Sequence, residues 1–107
     1  MTTTDYAADM RGAENIDDLA ALCSRHTDAP LADSAIGADQ QNALRALLAA
    51  TALVPYVKRC RSGNDGFEEQ IADLVADLRH LADTLDVDWG DVDARVASNY
   101  AAELLGM

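Results

Sequence analysis

Aromatic residues are scarce in this chain of 107 residues: one Phe, one Trp and three Tyr. Strands draw on aromatic and β-branched side chains, and no segment here alternates apolar and polar residues with the period of two that a half-buried strand requires. A strand-built fold is thereby excluded. Cysteine is rare as well. Cys23 and Cys60 stand far apart and outside any C-x-x-C, which points to free thiols in a reducing compartment, with a Cys23–Cys60 bridge as the alternative. No apolar run approaches the roughly 20 residues that span a bilayer. The start, MTTTDYAADM, has neither the basic flank nor the apolar stretch of a signal peptide. These absences make the cytoplasm the expected location.

Bases are also few. Acids outnumber them 19 to 8, for a formal charge of −11, and 15 of the acids are Asp. Phosphates would be repelled by such a chain, so direct binding to nucleic acid or to an anionic membrane is disfavoured. The same charge suits a basic protein partner, a surface that imitates nucleic acid, plain solubility, or a high-salt host.

What the chain does have is Ala and Leu. Half of its residues are apolar, enough for a core and against disorder throughout, and its length fits one domain spanning 1–107. Ala and Leu lead the helix scale. The expectation is an all-α, compact bundle of three to four main helices. Before Gly12, residues 1–14 form either a short helix that places Tyr6 and Met10 together or a flexible arm.

From Asn15 a helix begins, with Asn15 as cap and Asp17 and Asp18 where the helix dipole favours acids. Ile16, Leu19, Leu22, Cys23 and His26 share its apolar side, and His26 reads as a C-terminal helix residue. The loop TDAPLADSAIG follows, broken by Pro30 and Gly37. A long helix over 38–61 carries Leu44, Leu47, Leu48, Leu53, Val54 and Val57 among alanines. Apolar nearly all round, it belongs at the centre of a bundle or at a subunit contact, which makes a homodimer one expectation. Pro55 predicts a kink between Thr51 and Pro55. Lys58, Arg59 and Arg61 gather at its end, where positive charge complements the dipole, or forms a small patch for anions or a docking partner.

EEQIADLVADLRHLAD, from Glu68 to Asp83, opens the next helix. Ile71, Leu74, Val75, Leu78, Leu81, Ala82 and Leu85 recur at i, i+3, i+4 and i+7, so the side predicted to face the core is well marked. Glu69, Asp73, Asp77, His80 and Thr84 fall within a sector of roughly 80°, centred about 130° from the apolar side. With Asp83 beside them they form an acidic face. One reading of that face is a solvated or partner-docking surface. The other is a set of ligands for a divalent ion, which would need acids from a facing helix. No such acidic stripe runs along another helix, so no metal, cofactor or catalytic residue is assigned. A last helix follows from Trp89 to Leu105, capped by Asp88, with Asp91 and Asp93 in its first turn. Trp89, Val92, Val96, Tyr100 and Leu104 share one side, and Gly106 is its stop.

Chemistry-bearing motifs do not emerge elsewhere. DVDWGDVD fails as a calcium loop, because counting from Asp86 puts Gly90 fifth and Ala97 twelfth, where a Glu is wanted. Ser24, Ser34, Ser62 and Ser98 sit in no nucleophile elbow, and His26 and His80 lack partners at catalytic spacing.

The string EEQIADLVADLRHLADTLDVDWGDVDARV, covering about a third of the chain, is similar in rhythm to the C-terminal helix pair of the MazG-type all-α nucleoside-triphosphate pyrophosphohydrolases. The resemblance implies magnesium bound by an E-x-x-E on one helix facing an E-x-x-D on the next. Here the second element reads Gln70-x-x-Asp73, with Glu69 one position early, and Ala43 to Val57 contains no acid. The resemblance therefore extends to the scaffold and not to the activity. DLVADLRHLADTLDVDW with a later Tyr also resembles the C-terminal helices of small proteins of phages and mobile elements, mostly of unassigned activity. The functional expectation is a non-enzymatic acidic interaction protein, such as a phage-type inhibitor or nucleic-acid mimic that binds a basic host protein. The alternatives are a MazG-like metal-dependent nucleotide hydrolase and a homo-oligomeric structural bundle.

Overall fold

The computed structural model describes residues 5–30 and 36–106; part of the loop after Pro30, Ser34 included, lies outside that set. Five helices follow in order: α1 (Tyr6–Arg11), α2 (Ile16–Arg25), α3 (Ala38–Cys60), α4 (Phe67–Thr84) and α5 (Trp89–Leu104). The fold is all-α, with no strand among the described residues.

Three of the helices start where an Asp or Asn side chain can accept a backbone N–H that has no partner inside the helix. Asp5 accepts from Ala8, Asn15 from Asp18 and Asp88 from Asp91, at 3.0, 2.9 and 3.1 Å. Segment Tyr6–Arg11 forms the short helix, docked on α3 by one side chain. Gln40 Oε1 accepts the N–H groups of Tyr6 and Ala7, and Gln40 Nε2 donates to Asp5 Oδ1.

Helix ends follow local chemistry too, with one surprise. Ser62 N–H bonds to Val57 O and Arg61 N–H to Lys58 O, the paired bonds of a Schellman close. The left-handed residue that this close requires is Arg61 (φ 59°), although Gly63 stands two positions later. The end of α4 repeats the pattern, with Val87 N–H on Ala82 O, Asp86 N–H on Asp83 O and Asp86 at φ 62°. Arginine in that region costs about 1 kcal/mol or more, whereas Asp enters it more easily.

Helix α3 is the hub and touches the other four. On one of its sides Ala50, Leu53, Val54 and Val57 meet Ile16, Leu19 and Leu22 of α2, and this is the main core. Each large side chain so covered contributes about 1.5–3 kcal/mol. Phe67 and Leu74 of α4 reach the margin of that core, as do Met10 and Tyr56. Helix α3 runs unbroken through Pro55. Proline has no N–H to offer the Thr51 carbonyl; the Thr51 hydroxyl separately donates to Leu48 O at 2.5 Å.

The molecule measures 49 × 34 × 20 Å. Its shortest dimension is about two helix diameters, so the helices lie in two layers. The radius of gyration, 15.1 Å, exceeds the roughly 13 Å typical of a globular chain of this length. In two layers every helix keeps an outer side.

The side of α4 expected to face the core is where the structure departs from the sequence pattern. Of its seven apolar residues only Ala82 is buried, and Leu74 is half-buried. Ile71, Val75, Leu78, Leu81 and Leu85 are 44 to 63% exposed. On α5, Trp89 and Val92 are half-buried, while Val96, Tyr100 and Leu104 are exposed. The reason is geometric. Helix α4 reaches the α2–α3 core through Phe67 and Leu74 and meets Tyr56 of α3 through Asp77, and among the described residues no further helix lies over the α4–α5 hairpin.

Candidate functional site

Helix α4 carries the sequence-marked acids on one side and the uncovered apolar residues on another, so the candidate surfaces are two. On the acidic side Glu69, Asp73, His80 and Asp83 are all exposed. The helix spaces them along its length, with about two turns between Asp73 and His80, and among the described residues no second row of acids faces them. Among the described residues no group of three or more His, Cys, Asp or Glu side chains comes together as a metal centre would require. Asp77 differs from its neighbours in the row. It accepts a short hydrogen bond from the Tyr56 hydroxyl of α3. The Asp77 carboxylate, aided by partial burial and by Cys60, pushes the Tyr56 phenol well above its usual range, so the bond persists through neutral pH. Asp77 is thus a clasp between helices as well as a surface acid.

Charge on this part of the chain is largely uncompensated. Ten acids and two arginines lie between Glu68 and Glu103. Among the described residues the ion pairs are Arg45–Glu103 at 3.4 Å and His26–Asp9 at 3.2 Å, so of those ten acids Glu103 alone is matched by a base.

The apolar side forms a groove of about 400 Å³ between α4 and α5. Val75, Leu78, Leu81 and Leu85 line one wall, Val92 and Val96 the other, and Ala82 lies between them; Asp93 is the one charged residue along it. Catalysis needs polar groups aimed at a reacting atom. This groove has apolar walls, as a packing surface does.

Lys58, Arg59 and Arg61 are all exposed at the end of α3. Lys58 and Arg59 lie in its last turn, and Arg61 closes the helix with its own backbone. Cys23 and Cys60 are free thiols; burial pushes the Cys23 thiol up, and Cys60 is exposed. His26 ends α2 and ties it to α1, through Asp9 and through an edge-on contact with the Tyr6 ring at 5.2 Å.

One residue of consequence was not singled out from the sequence. Gln70 is fully buried, and its Nε2 donates to the carbonyls of Ser62 and Asp65 at 3.0 Å each. It fastens the SGNDG turn under α4 and so sets the angle at which α4 leaves α3. A signal was present: Phe67, Gln70 and Leu74 follow the i, i+3, i+7 rule, which places Gln70 on the side facing α3. Its Oε1 and the Ser62 hydroxyl are buried without partners among the described residues.

No helix among the described residues is long and apolar enough to cross a membrane. No protein-family model, curated protein or solved structure matches the chain, and the likeness of its C-terminal helices to other proteins rests on residue rhythm alone.

Proposed function

We propose that this chain is a non-enzymatic interaction protein that docks a basic protein partner through the acidic side of α4. The observation that supports it is the row Glu69, Asp73, His80 and Asp83, exposed along one helix and unmatched by bases among the described residues. An uncompensated row of this kind sets up a field that attracts and orients a cationic surface and repels phosphates. Its concrete form is a phage-type inhibitor or nucleic-acid mimic, in which carboxylates spaced along a helix occupy a basic groove meant for a phosphate backbone. The MazG-like hydrolase alternative has no set of converging carboxylates to build on. The homo-oligomer alternative draws on the apolar side of the same helix and is compatible with docking on the acidic side.

Capture of proteins on the immobilised chain, at about 0.05 M and about 0.5 M salt, tests the reading. A basic, nucleic-acid-binding protein should be retained at low salt and leave as the Debye length shrinks. The double variant Glu69→Lys with Asp73→Lys should weaken capture at least tenfold. Asp77 is left in place because its clasp on Tyr56 would confuse the result. Undiminished capture by the double variant would refute docking through this face.

A further inference from the structure

We infer that the apolar side of α4–α5 is an interface for a second copy of this chain, pairing face to face about a two-fold axis. Acidic docking concerns a different side of α4, and this inference does not depend on it.

Area is the first argument. Ile71, Val75, Leu78, Leu81 and Leu85 along α4, Val87 in the turn and Val96 on α5 are between 44 and 63% exposed, and all but Ile71 line the one groove. Side chains of this size, half uncovered, leave on the order of 600 Å² of apolar surface open, at the top of the roughly 300–600 Å² of the largest patch on a typical monomer. Two such patches face to face would bury more than the about 1,000 Å² that a specific interface should clear.

Pattern is the second. Ile71, Val75, Leu78, Ala82 and Leu85 advance by four, three, four and three residues. That 3.5-residue period keeps a seam turned toward another helix for its whole length. Of these five only Ala82 is buried, and the other four are 44 to 63% exposed.

Charge decides the occupant. The groove between the helices carries a single charged residue, Asp93, so a basic helix lying there would find almost nothing to neutralise it. A second copy would meet apolar surface like its own. A two-fold contact is self-complementary by construction, and the only partner present whenever this chain is made is another molecule of it. The exposed Glu69, Asp73 and His80 of the row lie roughly 160–180° around α4 from the seam, so pairing leaves them outward, and at physiological salt charges beyond about 8 Å are largely screened. The dimer would therefore present two acidic rows on its outer surfaces.

The test is the mass of the full chain by light scattering and sedimentation, from micromolar to millimolar. Twice the chain mass of 11.4 kDa is expected for the natural sequence, and 11.4 kDa for Leu78→Glu with Val96→Glu. Both substituted positions are exposed in the single chain, so helical circular dichroism should be retained, and the dimer dissociation constant should rise at least 100-fold. Leu78→Ala, milder and safe for folding, should raise it about tenfold. A natural chain of 11.4 kDa at every concentration would overturn the inference. So would a dimer indifferent to both variants, whose contact would lie elsewhere. Glu69→Lys with Asp73→Lys should leave the mass unchanged, so loss of partner capture and loss of pairing are read separately.

Discussion

The α2–α3 layer and the α4–α5 hairpin are built from the same two ingredients, leucine-rich stripes and Asp-rich outer sides, yet they end in opposite states. In the first, Leu19, Leu22, Leu53 and Val57 are buried against one another. In the second, Leu78, Leu81 and Leu85 carry an equally regular stripe and remain open to solvent. What separates them is partnership. Helix α2 lies along the apolar side of α3, whereas α4 and α5 each meet α3 and leave much of their own apolar sides exposed. An amphipathic pattern states which side wants covering. It does not state which molecule supplies the cover.

That contrast is sharpest for truncation. Leu22→Ala should cost about 2–5 kcal/mol, because packed neighbours leave a cavity, whereas Leu78→Ala in the single-chain state should cost less than about 1 kcal/mol. Urea unfolding at low concentration measures both. A Leu78→Ala cost equal to that of Leu22→Ala would break the distinction between the two regions. Any growth of that cost with protein concentration would show the stripe being covered by a second molecule.

The joint between the two regions comes next. Gln70→Ala should cost about 1–3 kcal/mol, since the Ser62 and Asp65 carbonyls lose their donor inside the protein. A value within error of zero would mean that the turn holds the hairpin without this tether. Urea unfolding again reads it.

A smaller effect lies one turn earlier. Arg61→Gly relieves a left-handed Arg and should add about 0.5–1 kcal/mol, reduced by the greater freedom of glycine in the unfolded chain. Asp86→Gly at the corresponding end of α4 should add less, because Asp tolerates that conformation better. Thermal unfolding of both variants tests the order; a destabilised Arg61→Gly would contradict it.

The smallest effect concerns α1 and pH. The Gln40 side chain, and then the Ala8 N–H, hold the Asp5 carboxyl below its ordinary value. A lowered folded-state pKa gives a contribution that is complete above the unfolded value and disappears as pH falls through the folded one. The Tyr6 to Ala8 amide signals should therefore hold steady from pH 7 to about 5 and shift together below the usual carboxylate range. Asp5→Asn should abolish the coupled shift. Amides that moved between pH 7 and 5 would point to a different titrating group.

Much of this was legible from residue order. Caps at Asn15 and Asp88, the four longer helical segments and the outward row of acids follow from interactions within about four residues, and local rules govern those; for Tyr6–Arg11 the sequence allows a helix or an arm. Gln40 and the Tyr56–Asp77 bond were not legible: each joins residues far apart in sequence, and a polar side chain gives no notice of whether it will meet water or a distant partner. Gln70 was legible in part, since its helical spacing turns it toward α3, but not the carbonyls of Ser62 and Asp65 that it meets. The close of α3 was not legible either: the left-handed conformation falls on Arg61, two positions before Gly63.

The sequence by itself determined the main helices, most of their caps, the apolar and acidic sides of each, and a formal charge of −11. These depend on backbone periodicity and on residue type alone. Only the tertiary structure decided that α2 fills the side of α3 it meets while α4–α5 keeps its apolar side outward. Burial depends on how many helices a chain of this length can stack, and two layers are too few to cover every stripe.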